Sequence, residues 1–199
     1  IIERNSTPMN RLDYTMWSAP VSGTQTLQNF SQYTLSNRFY EYNTATDLYN
    51  SIPNTGTWAM AKGYLIRVNN TWPAFPATAV VWPGKFRGTP NNGTKTFTLS
   101  TAGNGFNAVG NPYPSALKVD DFLTANSTQI EGTLWFWRKT NDTDNLTSYS
   151  TCTTTGCTLN NGHSYSNADY LSVGQGFLVK AKAGATAVNF DNTMRASTN

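Results

Sequence analysis

Residues Thr133 to Thr140 read TLWFWRKT, and this stretch decides the fold. In an extended chain Leu134 and Phe136 would point to one face, and Trp135 and Trp137 to the other. A strand that is apolar on both faces is typical of the centre of a sheet, where both faces are covered. We therefore predict a buried central β-strand here.

Segments on both sides of this stretch show the same period of two, and we predict further strands at 11–18, 37–44, 63–69, 78–82, 85–88, 94–100, 105–111, 176–182 and 186–191. Asn92-Gly93 lies between two of them, and Asn-Gly between strands is a strong signal for a hairpin. Short strands separated by turn residues indicate a sandwich or a jelly roll. The predicted fold is therefore all-β, a β-sandwich or jelly-roll-like domain that spans residues 1–199.

At most one short helix is expected, at about residues 115–125. Phe122 and Leu123 follow Val119 there at the helical spacings of three and four residues, behind Pro114. Residues 141–162 are rich in Asn, Thr and Gly and are predicted to form a long exposed loop.

The composition excludes several classes of protein. Charged residues make up 13% of the chain, about half the usual share, while six Trp, ten Tyr and ten Phe argue against disorder. The net charge is +3, but no run of basic residues is present, so we expect no nucleic-acid partner. No apolar stretch approaches the roughly 18 residues of a membrane helix, so no membrane span is expected.

Cys152 and Cys157 enclose four residues, Thr-Thr-Thr-Gly. A disulfide is the favoured interpretation, ahead of free thiols and of a zinc site, for which the single histidine, His163, leaves the ligand set incomplete. A disulfide implies an oxidising compartment. The sequence also starts at Ile1 without an initiator Met or a signal peptide, and we expect it to be part of a longer precursor.

Eight short motifs occur in a fixed order: Met16-Trp17-Ser18-Ala19-Pro20-Val21-Ser22-Gly23, Arg38-Phe39-Tyr40, Gly63-Tyr64-Leu65-Ile66-Arg67, Gly88-Thr89-Pro90-Asn91-Asn92-Gly93, Val109-Gly110-Asn111-Pro112-Tyr113-Pro114-Ser115, Trp135-Phe136-Trp137-Arg138, Gly174-Gln175-Gly176-Phe177 and Asn192-Thr193-Met194-Arg195. This succession resembles a region of large secreted and cell-surface proteins of Bacteroidota. In those proteins the region precedes a C-terminal sorting domain of the type 9 secretion system.

The resemblance covers the chain from about Arg11 to Arg195 and implies export through the outer membrane, with an extracellular or cell-surface location. It also implies that the type 9 secretion machinery acts on a region outside this chain. The loop between Cys152 and Cys157 does not belong to the pattern. The resemblance carries no activity that can be transferred.

A catalytic site is not predicted. A Ser–His–Asp triad built on His163 and Asp169 would need a serine nucleophile, and the Gly-x-Ser-x-Gly elbow is absent. The eleven acidic residues are spread thinly and suggest no carboxylate pair for glycoside hydrolysis. We therefore expect His163 to be a solvated loop residue and the protein not to be an enzyme.

Asp142 and Asp144 alternate with Asn and Thr in the sequence Asn141–Asn145. Carboxylate and amide oxygens at alternate positions can surround Ca²⁺, which takes six to eight oxygen ligands. An ordinary polar turn is the favoured interpretation. No other cofactor is expected.

Trp72, Phe75 and Trp82 lie beside prolines, which cannot donate to the ladder of a central strand. We therefore place these aromatic residues at edges or in loops, where a stiffly held ring can stack on a sugar. The alternative is that they form a lid over the end of the core.

These observations predict a non-catalytic extracellular structural or adhesive module of a type 9-secreted surface protein. The alternative is a carbohydrate-binding module of a secreted polysaccharide-degrading enzyme. Surface glycans are the predicted small ligands in either case, with Trp72, Phe75 and Trp82 as their contacts.

Overall fold

The computed structural model of the chain describes residues 1–138, 148–158 and 170–196. The described residues form mostly β-strands in antiparallel sheets, and one of their helices has as many as seven residues. The predicted all-β sandwich is therefore confirmed.

The strands in chain order are β1 (Ile2–Met9), β2 (Tyr14–Trp17), β3 (Val21–Ser22), β4 (Phe39–Asn43), β5 (Leu48–Ser51), β6 (Tyr64–Arg67), β7 (Val80–Phe86), β8 (Thr89–Pro90), β9 (Lys95–Thr98), β10 (Phe106–Gly110), β11 (Leu117–Lys118), β12 (Ile130–Arg138), β13 (Ser148–Thr153), β14 (Gly156–Thr158), β15 (Tyr170–Leu171), β16 (Gly176–Ala181) and β17 (Ala187–Phe190). The helices are α1 (Leu27–Phe30), α2 (Val119–Ala125) and a 3-10 turn (Asn192–Met194).

Two larger sheets organise the fold. One has five strands in the order β10-β16-β12-β13-β14, and the other has four in the order β2-β6-β4-β5. The remaining strands form the pairs β1-β7, β3-β8, β9-β17 and β11-β15. Strand β12 lies in the middle of the five-stranded sheet, so its predicted central position is confirmed.

The two large sheets are joined at a corner by backbone hydrogen bonds. The Ser18 N–H donates to the Gly174 carbonyl over 2.9 Å, and the Gly63 N–H donates to the Ala108 carbonyl over 3.0 Å. Residue 110 must be glycine here, because a Cβ atom at Gly110 would lie 2.3 Å from the Cβ atom of Ser18. The backbones of the two sheets are therefore in close contact at this corner.

The two faces of β12 have different environments. Leu134 and Phe136 are buried, at 0% and 3% exposure, in the cluster that also contains the buried residues of α2. Trp135 and Trp137 point to the opposite face and are half-buried. The Trp137 ring lies 5.6 Å from that of Tyr49 in the four-stranded sheet. The expectation that both faces of this strand are fully buried is therefore wrong for the face that carries the two tryptophans.

Two aromatic regions pack against the four-stranded sheet. The Trp17 cluster consists of Met9, Trp17, Ala19, Val21, Leu27, Phe30, Phe39, Tyr64, Ile66, Val68, Trp82 and Phe86. The inter-sheet aromatic layer consists of Tyr14, Tyr40, Tyr42, Tyr49, Phe106, Trp135, Trp137 and Tyr149, packed around Met16, Leu65, Ala108 and Leu178. The first covers one face of the four-stranded sheet, and the second lies between the two large sheets.

The helix begins later than predicted. Residues Leu117 and Lys118 form β11, in which Leu117 lies opposite Leu171 of β15. The backbone of Lys118 is therefore extended, and α2 begins at Val119. The short helix α1 was not predicted.

The predicted hairpin around Asn92-Gly93 is wrong. Strand β7 pairs with β1, and β9 pairs with β17. The intervening segment is held by distant groups instead: the Asn91 side chain donates to the Pro112 carbonyl (2.9 Å), and the Tyr113 hydroxyl donates to the Gly93 carbonyl (2.7 Å). Gly93 has a φ of +71°, which suits glycine, but the turn does not join neighbouring strands.

The predicted exposed loop at 141–162 is also wrong for its described part, residues 148–158. These residues form β13 and β14 in the five-stranded sheet. Cys152 lies opposite Cys157 and is bonded to it, which confirms the predicted disulfide. Cys152 is 1% exposed, because the alternation of β13 turns it to the same face as Leu134.

Candidate functional site

A groove of about 370 Å³ opens between residues 29–33, residues 69–72 and residues 82–87. Its volume falls within the roughly 300–1,000 Å³ that is common for ligand pockets. Two of the three aromatic residues predicted from the sequence, Trp72 and Trp82, line this groove. The fold thus brings together residues that are ten positions apart in the chain.

Trp82 forms part of the floor of the groove. It is 7% exposed, and its ring lies 5.2 Å from that of Trp17 and 5.4 Å from that of Phe30. Most of its surface is therefore occupied by the Trp17 cluster. The ring contributes mainly to the core, as the lid interpretation expected.

The position of Trp82 follows from the pairing of β7. Within the described residues this strand pairs only with β1, where Pro83 lies opposite Asn5. An edge strand tolerates the missing N–H of proline, so the neighbouring proline does not push Trp82 into a loop. Alternation along β7 then turns Trp82 inward. The prediction of an edge position is correct, but the expected open ring is not.

Trp72 forms a side of the groove and is half-buried. Its ring meets that of Trp82 edge to face at 6.5 Å, with an interplanar angle of 84°. The Trp72 N–H donates to the Asn69 carbonyl (3.2 Å), and the next carbonyl, that of Pro73, accepts from the Arg11 N–H (2.8 Å). The ring is thus held on a fixed backbone while part of its surface faces solvent.

Phe75 does not line the groove. It is 44% exposed and lies three residues beyond Trp72, before a cis bond to Pro76. The structure therefore separates it from the two tryptophans with which it was grouped.

Tyr33 is a groove residue that sequence reasoning missed. Its side chain is 67% exposed, and its carbonyl accepts a hydrogen bond from the Asn70 N–H over 3.0 Å. Thr26 caps α1 through the Asn29 N–H, and Phe30 anchors that helix in the core. The helix positions Tyr33, but no sequence signal marks Tyr33 as a groove residue.

Amide side chains supply polar groups to the groove. Those of Asn29 and Gln32 make no hydrogen bond to other described residues. The Asn69 side-chain oxygen accepts from both the N–H (2.8 Å) and the hydroxyl (2.9 Å) of Thr71. Its orientation is therefore fixed, and its NH₂ group makes no hydrogen bond within the described part of the chain.

The charges of the groove come from β7 and the residue after it. Lys85 and Arg87 are exposed because Phe86 between them points into the core. The Lys85 ammonium pairs with the Glu3 carboxylate over 3.2 Å, while the Arg87 N–H is held by the Gln25 side chain at 2.8 Å. No Asp or Glu is among the described residues that line the groove.

The inter-sheet aromatic layer is the other large group of partly exposed rings. The hydroxyls of Tyr49 and Tyr149 hydrogen-bond across the sheets at 3.0 Å, and the Tyr42 hydroxyl donates to the Asp47 carboxylate at 3.0 Å. Burial raises the pKa values of all three tyrosines above the ordinary value near 10. These hydroxyls bond to protein groups, so the layer is best understood as part of the core.

Asp142, Asp144 and His163 lie outside the described residues, so the calcium and histidine predictions stay predictions. Within the described parts of the chain, no three His, Cys, Asp or Glu residues lie close enough to hold a metal ion. The same parts contain no helix long and apolar enough to cross a membrane.

Comparison with curated proteins and comparison with solved structures gave no match. A family model, described as a domain of unknown function, DUF8693, matches residues 1–199. The chain therefore belongs to the DUF8693 family.

Proposed function

We propose that this chain is a non-catalytic adhesive module of an exported surface protein and that it binds glycans in the groove beside Trp72. The observation that carries this proposal is the groove itself, in which a rigidly held, half-buried Trp72 faces solvent near the exposed Tyr33. The side-chain amides of Asn29 and Gln32, which make no hydrogen bond to other described residues, lie in the same groove.

The physical basis is the two-sided character of a sugar ring. Its C–H face packs on an aromatic ring, and its hydroxyls need hydrogen-bond partners around the rim. An indole fixed by its own backbone loses little conformational freedom when it binds, which favours affinity. Trp72 has such a backbone, because its N–H and the Pro73 carbonyl are both bonded.

Two observations support an extracellular location. The Cys152–Cys157 disulfide is typical of proteins in oxidising compartments. The ordered motifs resemble a region that precedes a type 9 sorting domain, and the secretion machinery would act on that domain, outside this chain.

A purely structural module is the second candidate, and the packing of Trp72 against Trp82 favours it. In that case Trp72 serves as a lid over the Trp17 cluster, and the groove has no ligand. The two candidates differ in what removal of the indole does to binding and to stability.

The test compares the parent chain with Trp72→Ala on a glycan array, together with thermal melts of both. The proposal expects the parent to retain at least one glycan and Trp72→Ala to lose it with a small change in melting temperature. Phe75→Ala is the matched control, because Phe75 is an exposed aromatic residue outside the groove and its loss should leave binding intact. A Trp72→Ala variant that melts far below the parent, with no glycan bound by either protein, would establish the structural lid instead.

A further inference from the structure

We infer that the groove selects glycans that carry negative charge, as uronate carboxylates or sulfate esters. This inference rests on the proposed function and adds the ligand class to it. It follows from the arrangement of charge along β7 and at its end.

Lys85 and Arg87 are two residues apart, so their side chains project to the same face. Phe86 between them is fully buried and fixes this orientation, because it belongs to the Trp17 cluster. Both cations line the groove together with Trp72. A sugar ring that stacks on Trp72 therefore enters a groove in which its anionic substituents meet positive charge.

Three lysines elsewhere on the described surface pair with carboxylates: Lys62 with Glu41, Lys118 with Asp121 and Lys180 with Glu131. In the groove, Lys85 pairs with Glu3, and both side chains are about half exposed, at 49% and 54%. Such an exposed pair contributes little and opens readily for a competing anion.

Arg87 is different. Its guanidinium makes no ion pair or hydrogen bond to any other described residue, and its backbone is fixed by Gln25. A guanidinium presents parallel N–H groups that match the two oxygens of a carboxylate or a sulfate. Arg87 is therefore the main anion-recognising group, with Lys85 as its neighbour.

Neutral glycans would leave the Arg87 guanidinium without an anionic partner among the described residues. The amides of Asn29, Gln32 and Asn69 serve hydroxyls of any sugar, so they do not discriminate by charge. Lys85 and Arg87 therefore distinguish charged from neutral sugars. Their positive charges strengthen the binding of acidic sugars and make that binding depend on salt concentration.

The experiment uses the full chain and ligands that differ only in charge. Polygalacturonate oligomers are compared with their methyl-esterified forms, and a sulfated galactan is compared with its desulfated form. Dissociation constants are measured by calorimetry at low and high salt. We expect the charged member of at least one pair to bind about 10-fold more tightly, a difference that shrinks at high salt.

The deciding variant is Arg87→Gln, which removes the charge and keeps part of the aliphatic stem and a polar N–H group. It should lose about 10-fold in affinity for the charged ligand and bind the neutral ligand like the parent. Lys118→Gln at the start of α2 is the control for general charge attraction and should bind like the parent.

The outcomes separate this inference from the proposed function. Equal binding of charged and neutral ligands, or equal losses in Arg87→Gln and Lys118→Gln, overturns the inference alone, provided that Trp72→Ala still abolishes binding. Absence of binding to any ligand in these pairs and on the array overturns the proposed function and this inference together.

Discussion

The Trp17 cluster and the inter-sheet aromatic layer contain similar residues and share edge-to-face packing, yet they differ in how their outermost rings meet solvent and protein groups. The Trp17 cluster continues outward through Trp82 to a half-buried Trp72 and an open groove. In the layer, the hydroxyls of Tyr49 and Tyr149 bond to each other between two sheets. Aromatic content therefore does not distinguish the two regions, and we propose the groove as the binding surface because accessible polar and charged groups lie beside its rings.

Alkaline pH should destabilise the inter-sheet aromatic layer more than the Trp17 cluster. Burial raises the pKa values of Tyr42, Tyr49 and Tyr149 in the folded chain, so above pH 10 the unfolded chain releases its protons first. The contribution of these tyrosines to the free energy of unfolding is therefore fully present below about pH 10 and is lost as the pH rises further. Denaturant unfolding at several pH values, with tyrosinate absorbance, measures this.

The Trp17 cluster contains one tyrosine, Tyr64, whose pKa burial also raises. Tyr42→Phe should shift the alkaline transition to higher pH more than Tyr64→Phe does. Burial and the bond to the Asp47 carboxylate both raise the pKa of Tyr42, whereas the Ala59 N–H and the Lys62 ammonium oppose the effect of burial on the pKa of Tyr64. Equal shifts in the two variants would contradict the assignment of alkaline sensitivity to the layer.

Trp17→Ala should destabilise the protein by about 3–5 kcal/mol, as expected for removal of a core tryptophan. Trp17 is fully buried and packs against Phe30 and Trp82, at ring distances of 5.3 and 5.2 Å. Trp135→Ala is the matched variant in the layer, and the half-buried Trp135 should contribute about half as much. Chemical denaturation of both variants tests this, and a larger loss for Trp135→Ala would reverse the ranking of the two regions.

Removal of the disulfide should lower the free energy of unfolding by about 2 kcal/mol, because Cys152 and Cys157 close a short loop with a sequence separation of 5. The double variant Cys152→Ala/Cys157→Ala avoids free thiols, and its free energy of unfolding is compared with those of the oxidised parent and of the reduced parent. A loss in the free energy of unfolding near that of Trp17→Ala would mean that the bond also holds β13 and β14 in the folded sheet, in addition to restricting the conformations of the unfolded chain.

Tyr49→Phe should cost about 1 kcal/mol, the usual contribution of one hydrogen bond. The lost bond is the 3.0 Å contact with the Tyr149 hydroxyl. A double-mutant cycle with Tyr149→Phe isolates the interaction. If the losses in the free energy of unfolding of the two single variants added up in the double variant, this bond would contribute nothing to the stability of the packing between the sheets.

Features encoded by local alternation were predictable from the sequence. Strand β12 was placed at the centre of a sheet because Leu134 and Trp135 signal two apolar faces, and the short spacing of Cys152 and Cys157 indicated their bond. Strand β1 was missed because its residues alternate between half-buried and exposed without an apolar pattern.

Features set by distant contacts were not predictable. The Asn-Gly segment looks like a hairpin locally, but the Tyr113 hydroxyl and the Pro112 carbonyl fix it from elsewhere in the chain. In the same way Trp82 was recognised, but its inward orientation depends on pairing between β7 and β1, about 80 residues apart. Tyr33 has no distinguishing neighbours in sequence, and only the fold brings it to the groove.

The smallest change in the free energy of unfolding is expected for Tyr33, a groove residue that belongs to neither aromatic region. Tyr33 is 67% exposed, so Tyr33→Ala should change the free energy of unfolding by less than about 0.5 kcal/mol, as for most surface substitutions. Its ring nevertheless lines the groove, and loss of a stacking surface should weaken glycan binding by about 10-fold. Tyr33→Phe keeps the ring and should bind nearly as the parent does, while Leu48→Ala provides an exposed control outside the groove. Unfolding and binding titrations on the same preparations give both quantities. If Tyr33→Ala bound glycan like the parent while Trp72→Ala did not, the glycan would contact the Trp72 indole and not Tyr33. The binding site would then occupy only part of the groove.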